Sequence, residues 1–133
     1  MTGTILFRSD GGHDLGFGHI KRCLSLASEL ASQNIVSAFA CRCESDAVAT
    51  LIRARGFSVV EIPARIGLIA ELEYLSNEET FDYDAIVLDI SHPEMLRQYN
   101  AIPAYFAGLT QRFPTVAIID GHMQFCLAGR FDL

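Results

Sequence analysis

Cysteine is scarce in this chain. Cys23, Cys41, Cys43 and Cys126 are too few and too scattered for a disulfide scaffold. A reducing cytoplasm is therefore the expected location. Cys41 and Cys43 form a C-x-C pair, but no second pair accompanies them, so no metal site is expected there. Positive charge is also short: 10 Lys and Arg stand against 16 Asp and Glu, a net charge of −6, and no basic stripe appears. That argues against nucleic acid as the main partner. No apolar run approaches the roughly 20 residues of a membrane span. The N-terminus shows neither the charged nor the apolar region of a signal peptide. Repeats, low-complexity tracts and linkers are missing as well. What remains is 133 residues, 50% of them hydrophobic, enough for the core of one domain over 1–133.

The pattern within that domain alternates strand and helix. Thr4-Ile5-Leu6-Phe7 reads as a buried strand, and Ser9-Asp10-Gly11-Gly12 breaks it. Gly16 and Gly18 flank Phe17 and lead into His19. From Ile20 the period becomes helical, with Ile20, Cys23, Leu24, Ala27, Leu30 and Ala31 on one face. Further strands are expected at 35–41, 57–62, 85–89 and 115–120, with the first residues of a sixth at 131–133. Helices are expected from Ser45 or Asp46 to Arg55, over 66–76, and from His92, the last broken near Pro103. Such alternation gives an α/β fold, a Rossmann-like parallel sheet with helices on both faces. The apolar strands 85–89 and 115–120 are expected beside strand 4–8 at the centre.

In open sheets of this kind ligands bind beyond the carboxyl ends of the strands. Asp10 and His13 follow strand one, Asp89 and His92 strand four, and Asp120 and His122 strand five. His19 opens the first helix at the same rim, so all four histidines fall on one edge. A helix start leaves backbone N–H groups unpartnered and carries partial positive charge, which suits anions such as phosphates. That charge disfavours an imidazolium, so a neutral His19 able to take a proton is expected. Arg8, Lys21 and Arg22 offer attraction for a diphosphate, and Arg22 equally offers a partner for a nearby carboxylate. Asp10, Asp89 and Asp120 also fit as plain turn formers. Three Asp and three His at one rim fit a divalent metal too, but no tight ligand spacing supports one.

The segment FRSD followed by LGFGHIKRCLSLASEL closely resembles the N-terminal signature of the UDP-sugar hydrolases of pseudaminic acid biosynthesis. That signature is Arg-x-Asp, a variable loop, Gly-x-Gly-His, then Arg-Cys-Leu-x-Leu-Ala. Here it is Arg8, Asp10, Gly16, Gly18, His19, Arg22, Cys23, Leu24, Leu26 and Ala27. The family is similar in fold to the GT-B glycosyltransferases, including the MurG type. The resemblance implies the N-terminal half of a GT-B fold, with His19 as the catalytic residue and Asp10 orienting or polarising the site. It implies substrate contacts from Gly16, Phe17, Gly18, Arg22, Asp89, His92 and Asp120, a UDP-activated diacetamido-trideoxy sugar as substrate, and no cofactor. The sequence departs from the family where Ile90-Ser91 follows Asp89 in place of His-Tyr, and where Gly121 follows Asp120 in place of a second Asp. The family's second domain, which holds uracil and diphosphate, is not in this chain. A fragment, or a chain needing a partner, is the expectation, with feeble activity alone.

Three other readings stand beside this one. A GT-B glycosyltransferase half would hand the sugar to an acceptor instead of water. A truncated, non-catalytic binding module would keep a sticky edge. A receiver-type domain built on Asp10 and Asp89 wants a lysine after strand five, and none lies between Asp120 and Leu133.

Overall fold

A computed structural model describes residues 3–12, 16–43, 45–75, 83–89 and 99–119. The elements in order are β1 (Thr4–Ser9), α1 (Gly18–Ala31), β2 (Val36–Cys43), α2 (Ala47–Ala54), β3 (Ser58–Pro63), α3 (Leu68–Leu75), β4 (Ala85–Asp89), a 3-10 turn (Tyr99–Ala101), α4 (Ile102–Arg112) and β5 (Thr115–Ile118). All strand pairs are parallel, in the order β3-β2-β1-β4-β5. The fold is α/β and Rossmann-like, as the alternation predicts.

The order explains where the helices go. From β1 the chain steps outward to β2 and β3, then returns to the far side of β1 for β4 and β5. Right-handed crossovers in opposite directions place their helices on opposite faces. One face packs α1 and α2 on Phe7, Phe39, Cys41 and Val87. The other packs α3 and α4 on Leu6, Ala38, Ala40, Ile86 and Leu88. Strand residues alternate between faces with period two. Even-numbered positions of β1, β2 and β4 therefore face α3 and α4, while odd-numbered ones face α1 and α2.

Several local expectations hold for reasons the backbone makes plain. Gly56 follows α2 at φ +90, and Asn34 follows α1 at φ 64, both in the left-handed region that ends helices. Ala47 N–H donates to Ser45 Oγ at 3.4 Å, whereas Asp46 gives no side-chain cap.

One expectation needs correction. Strand 115–120 does not lie beside strand 4–8: β5 pairs with β4 and is the outermost described strand on that side. Its inner residues Val116 and Ile118 pack on the α3–α4 core, while Thr115 and Ala117 are exposed. Among the described residues this apolar run is therefore covered on one face only. The helical piece expected after Pro103 is α4, with Pro103 in its first turn, where its missing N–H costs nothing. The helix start at His92 and the sixth strand at 131–133 lie outside the described residues.

Candidate functional site

The order reverses between β1 and β4, so a crevice opens at their carboxyl ends. Their last paired residues are Ser9 and Asp89. Asp89 is an odd-numbered residue and so faces α1. It is fully buried, and four donors converge on it. His19 Nδ1 lies 2.7 Å from Oδ1. Arg22 donates through Nε to Oδ2 at 2.8 Å and through Nη2 to Oδ1. The Cys23 thiol points to Oδ2 at 3.5 Å. His19, Arg22 and Cys23 come from the first two turns of α1, where spacings of three and four share one face.

The charges in this web can be assigned. Burial alone would raise the Asp89 pKa, but the bonds from Arg22 and His19 outweigh it and hold the carboxyl below its ordinary range. Asp89 is thus a carboxylate, which only accepts hydrogen bonds. At 2.7 Å the His19 Nδ1 must carry a proton and donate it. The Arg22 Nη2 to Nδ1 approach of 3.3 Å is then a secondary contact. The His19 side chain is 25% exposed, so the ring lies within reach of solvent. Cys23 is no nucleophile here. Burial, reinforced by the negative Asp89, pushes its thiol up to about 12.

The loop before α1 is closed on itself. Gly12 N–H donates to Gly16 O at 3.0 Å, and Gly16 N–H to Gly12 O at 2.7 Å. Gly12 and Gly16 take φ +148 and +72. The Gly16 amide is therefore spent on the loop and is not offered to an anion. Phe17 is the N-cap of α1, gives no side-chain cap, and packs against the α1–α2 core. Gly18 is the first helical residue, and no acidic side chain occupies the first turn.

Asp10 goes elsewhere. It continues the even-numbered set Leu6, Arg8 and Asp10 and so turns toward α3, away from the face that carries His19. Its Oδ1 accepts from Arg8 Nη1 and from the Arg42 backbone N–H, both at 2.7 Å. Arg8 is fully buried and bidentate on Glu71 of α3, at 2.7 and 3.0 Å, so it is not placed to attract a diphosphate. Arg42 Nε reaches the same carboxylate at 2.8 Å, and the Tyr105 hydroxyl of α4 donates to it. Burial would raise the Glu71 pKa, but Arg8 first, then Tyr105 and Arg42, bring it down to about 2.

The structure thus brings His19, Arg22 and Asp89 together and separates Asp10 from them. His92 and Asp120, together with His13 and His122, lie outside the described residues. Among the described residues no three His, Cys, Asp or Glu side chains gather as a metal site. A groove of about 670 Å³ lies at the opposite edge of the sheet, near Asn34, Val36, Gly56 and Phe57. It has no charged lining side chain and is remote from His19.

The described fold has a counterpart among solved structures. It is similar to MurG. The crystal structure of MurG from Acinetobacter baumannii superposes with a TM-score of 0.53 at 11% identity, over 90% of this chain. MurG is a GT-B glycosyltransferase, and the likeness is one of fold, a Rossmann-like domain. The chain spans 42% of the length of MurG. No protein-family model matches the sequence, and no curated protein matches it. No helix among the described residues is long and apolar enough to cross a membrane.

Proposed function

We propose that the chain is the N-terminal half of a GT-B enzyme acting on a nucleotide sugar, with His19 as general base. The observation that carries this is the 2.7 Å bond from His19 Nδ1 to the buried Asp89 at the strand switch point. A carboxylate that fixes the Nδ1–H tautomer leaves Nε2 ready to accept a proton. In the reading taken from the sequence resemblance, the substrate is a UDP-activated diacetamido-trideoxy sugar. Nε2 takes a proton from water, the water oxygen bonds to the anomeric carbon, and the bond from that carbon to the diphosphate breaks. The electron pair leaves with UDP, near the uncapped start of α1, where partial positive charge favours it. Arg22 and Asp89 hold the base in place. Asp10 acts at a distance, fixing the ends of β1 and β2 through Arg8 and Arg42. His92 and Asp120 belong to the proposed sugar pocket by their position after β4 and β5.

The uracil contacts belong to a second domain or a partner chain, so turnover by this chain alone is expected to be slight. Hydrolysis in ¹⁸O-water tests the chemistry. Label must enter the sugar and not UDP, and His19→Asn must keep the circular dichroism spectrum while abolishing UDP release. Full activity in that variant, or label in UDP, sinks the proposal. The likeness to MurG supports a second reading, in which the same base deprotonates an acceptor hydroxyl. Release of UDP that depends on an added acceptor would select it.

A further inference from the structure

The C-x-C pair belongs to neither reading, and the structure gives it a use. Cys41 and Cys43 are both odd-numbered residues of β2 and share the α1–α2 face, with their sulfurs 3.3 Å apart. Cys41 is buried, and Cys43 is partly exposed. Pairing of β2 with β1 stops at Ala40, whereas pairing with β3 continues to Cys43 opposite Pro63. Residues 41–43 are therefore gripped by a ladder on one side only. Two residues of strand span about 6.6 Å, inside the upper end of the Cα separations that disulfides bridge. Closing the sulfurs from 3.3 Å to a bond draws the two Cβ atoms together, so the backbone of 41–43 must bend, which its one-sided ladder permits.

We infer that Cys41 and Cys43 are a dithiol that closes reversibly into a disulfide when a hydroperoxide reaches the carboxyl end of β2. The two sulfurs have different parts. The hydrogen bond from Cys41 favours a thiolate at Cys43, against the effect of burial, and the same bond together with burial holds the Cys41 proton on. Cys43 loses its proton to solvent, and its sulfur attacks hydrogen peroxide. The O–O bond breaks, giving Cys43 sulfenic acid and a hydroxide that takes the released proton as water. Cys41 sulfur then attacks Cys43 sulfur and gives up its own proton. The S–O bond breaks, and the departing hydroxide leaves with that proton as a second water. Each sulfur loses one electron, and peroxide gains two. A dithiol reductant reverses the closure. Arg42 lies inside the new ring, and its amide is the one that donates to Asp10 at 2.7 Å.

The sequence supplies its own readout, because trypsin cuts after Arg42, between the two cysteines. In the reduced protein, peptides 23–42 and 43–53 separate. After brief exposure to hydrogen peroxide, unfolding and digestion, they should run as one species two hydrogens lighter than their sum. Fragment ions should place the bond at Cys41 and not at Cys23, and dithiothreitol should part the peptides. Cys43→Ser should lose the linked species. Cys41→Ser should lose it too and leave a sulfenic acid at Cys43 that dimedone labels. The inference is overturned if the wild-type protein yields no linked pair. It is equally overturned if the bond runs to Cys23 or Cys126, or if mixing ¹⁴N and ¹⁵N protein shows that it joins two molecules.

Discussion

Replacing Glu71 by Gln tests the buried charges beneath the site. The change keeps the shape of the side chain and removes its charge. In the native domain this carboxylate serves Arg8 at 2.7 and 3.0 Å, Arg42 at 2.8 Å and the Tyr105 hydroxyl, and none of the four side chains is more than 2% exposed. With Gln in place, Asp10 is the one carboxylate left to the Arg8 guanidinium, and that of Arg42 is left with the uncharged carbonyls of Ala64 and Ile66. Removing one member of a buried ion cluster costs about 3–5 kcal/mol. A second route gives a similar size. The displacement of the Glu71 pKa from 4.5 to about 2 converts to about 3 kcal/mol at neutral pH. Because the folded value is the lower one, this stability is whole above pH about 4.5. It shrinks to about 2 kcal/mol at pH 3.5 and is gone below pH about 2. Urea unfolding of the wild type and Glu71→Gln at pH 7 and 3.5 measures both differences. Glu73→Gln, exposed on the same helix, is the control and should stay within about 0.5 kcal/mol. A loss under 1 kcal/mol at pH 7, or a loss that grows as the pH falls, would refute the reasoning.

Two further outcomes follow from the site and its surroundings. Asp89→Asn turns a pure acceptor into a group with two N–H bonds, one of which must meet the Arg22 fork. His19 is then free to move its proton to Nε2, which ¹⁵N–¹H imidazole spectra report directly, and turnover should fall by about 10⁴-fold; an unchanged Nδ1–H tautomer contradicts the dyad. Gly56→Ala meets open space but forces a side chain onto φ +90. A loss of about 1–2 kcal/mol is expected, read as a lowered urea midpoint with an unchanged slope, and no loss would contradict the left-handed assignment.

The strand and helix periods were legible from residue order, because each buried stripe is local. Asp89 was legible as a rim residue, because a carboxylate directly after an apolar strand lands at the carboxyl edge. Asp10 sits apart from His19 for a reason the sequence also contains. Leu6, Arg8 and Asp10 share one parity, so the buried Leu6 already assigned Asp10 to a face. Which helices cover that face depends on the direction of each crossover, and hence on strand order. That order is a tertiary fact, and it also moved β5 outside β4. Glu71 left no sign, since Glu71 and Glu73 both read as solvated residues of the helix Leu68–Leu75. Only Arg8 and Arg42 arriving from two strands make its burial tolerable.

That same cluster has a consequence for how the strands align. A slip of two residues keeps each side chain on its own face and puts like beside like, since Ala38 and Ala40 resemble each other as neighbours. Charges are less forgiving. A slip of β2 by one residue would turn Arg42 to the opposite face, strand it without an acceptor and bring Cys41 or Cys43 to Glu71 instead. The penalty for that alternative is the cost of an isolated buried cation, far above that of a misplaced methyl group. Arg8, Arg42 and Glu71 thus work as a key cut for one alignment of the central strands, and the crevice that holds His19 inherits its geometry from that alignment.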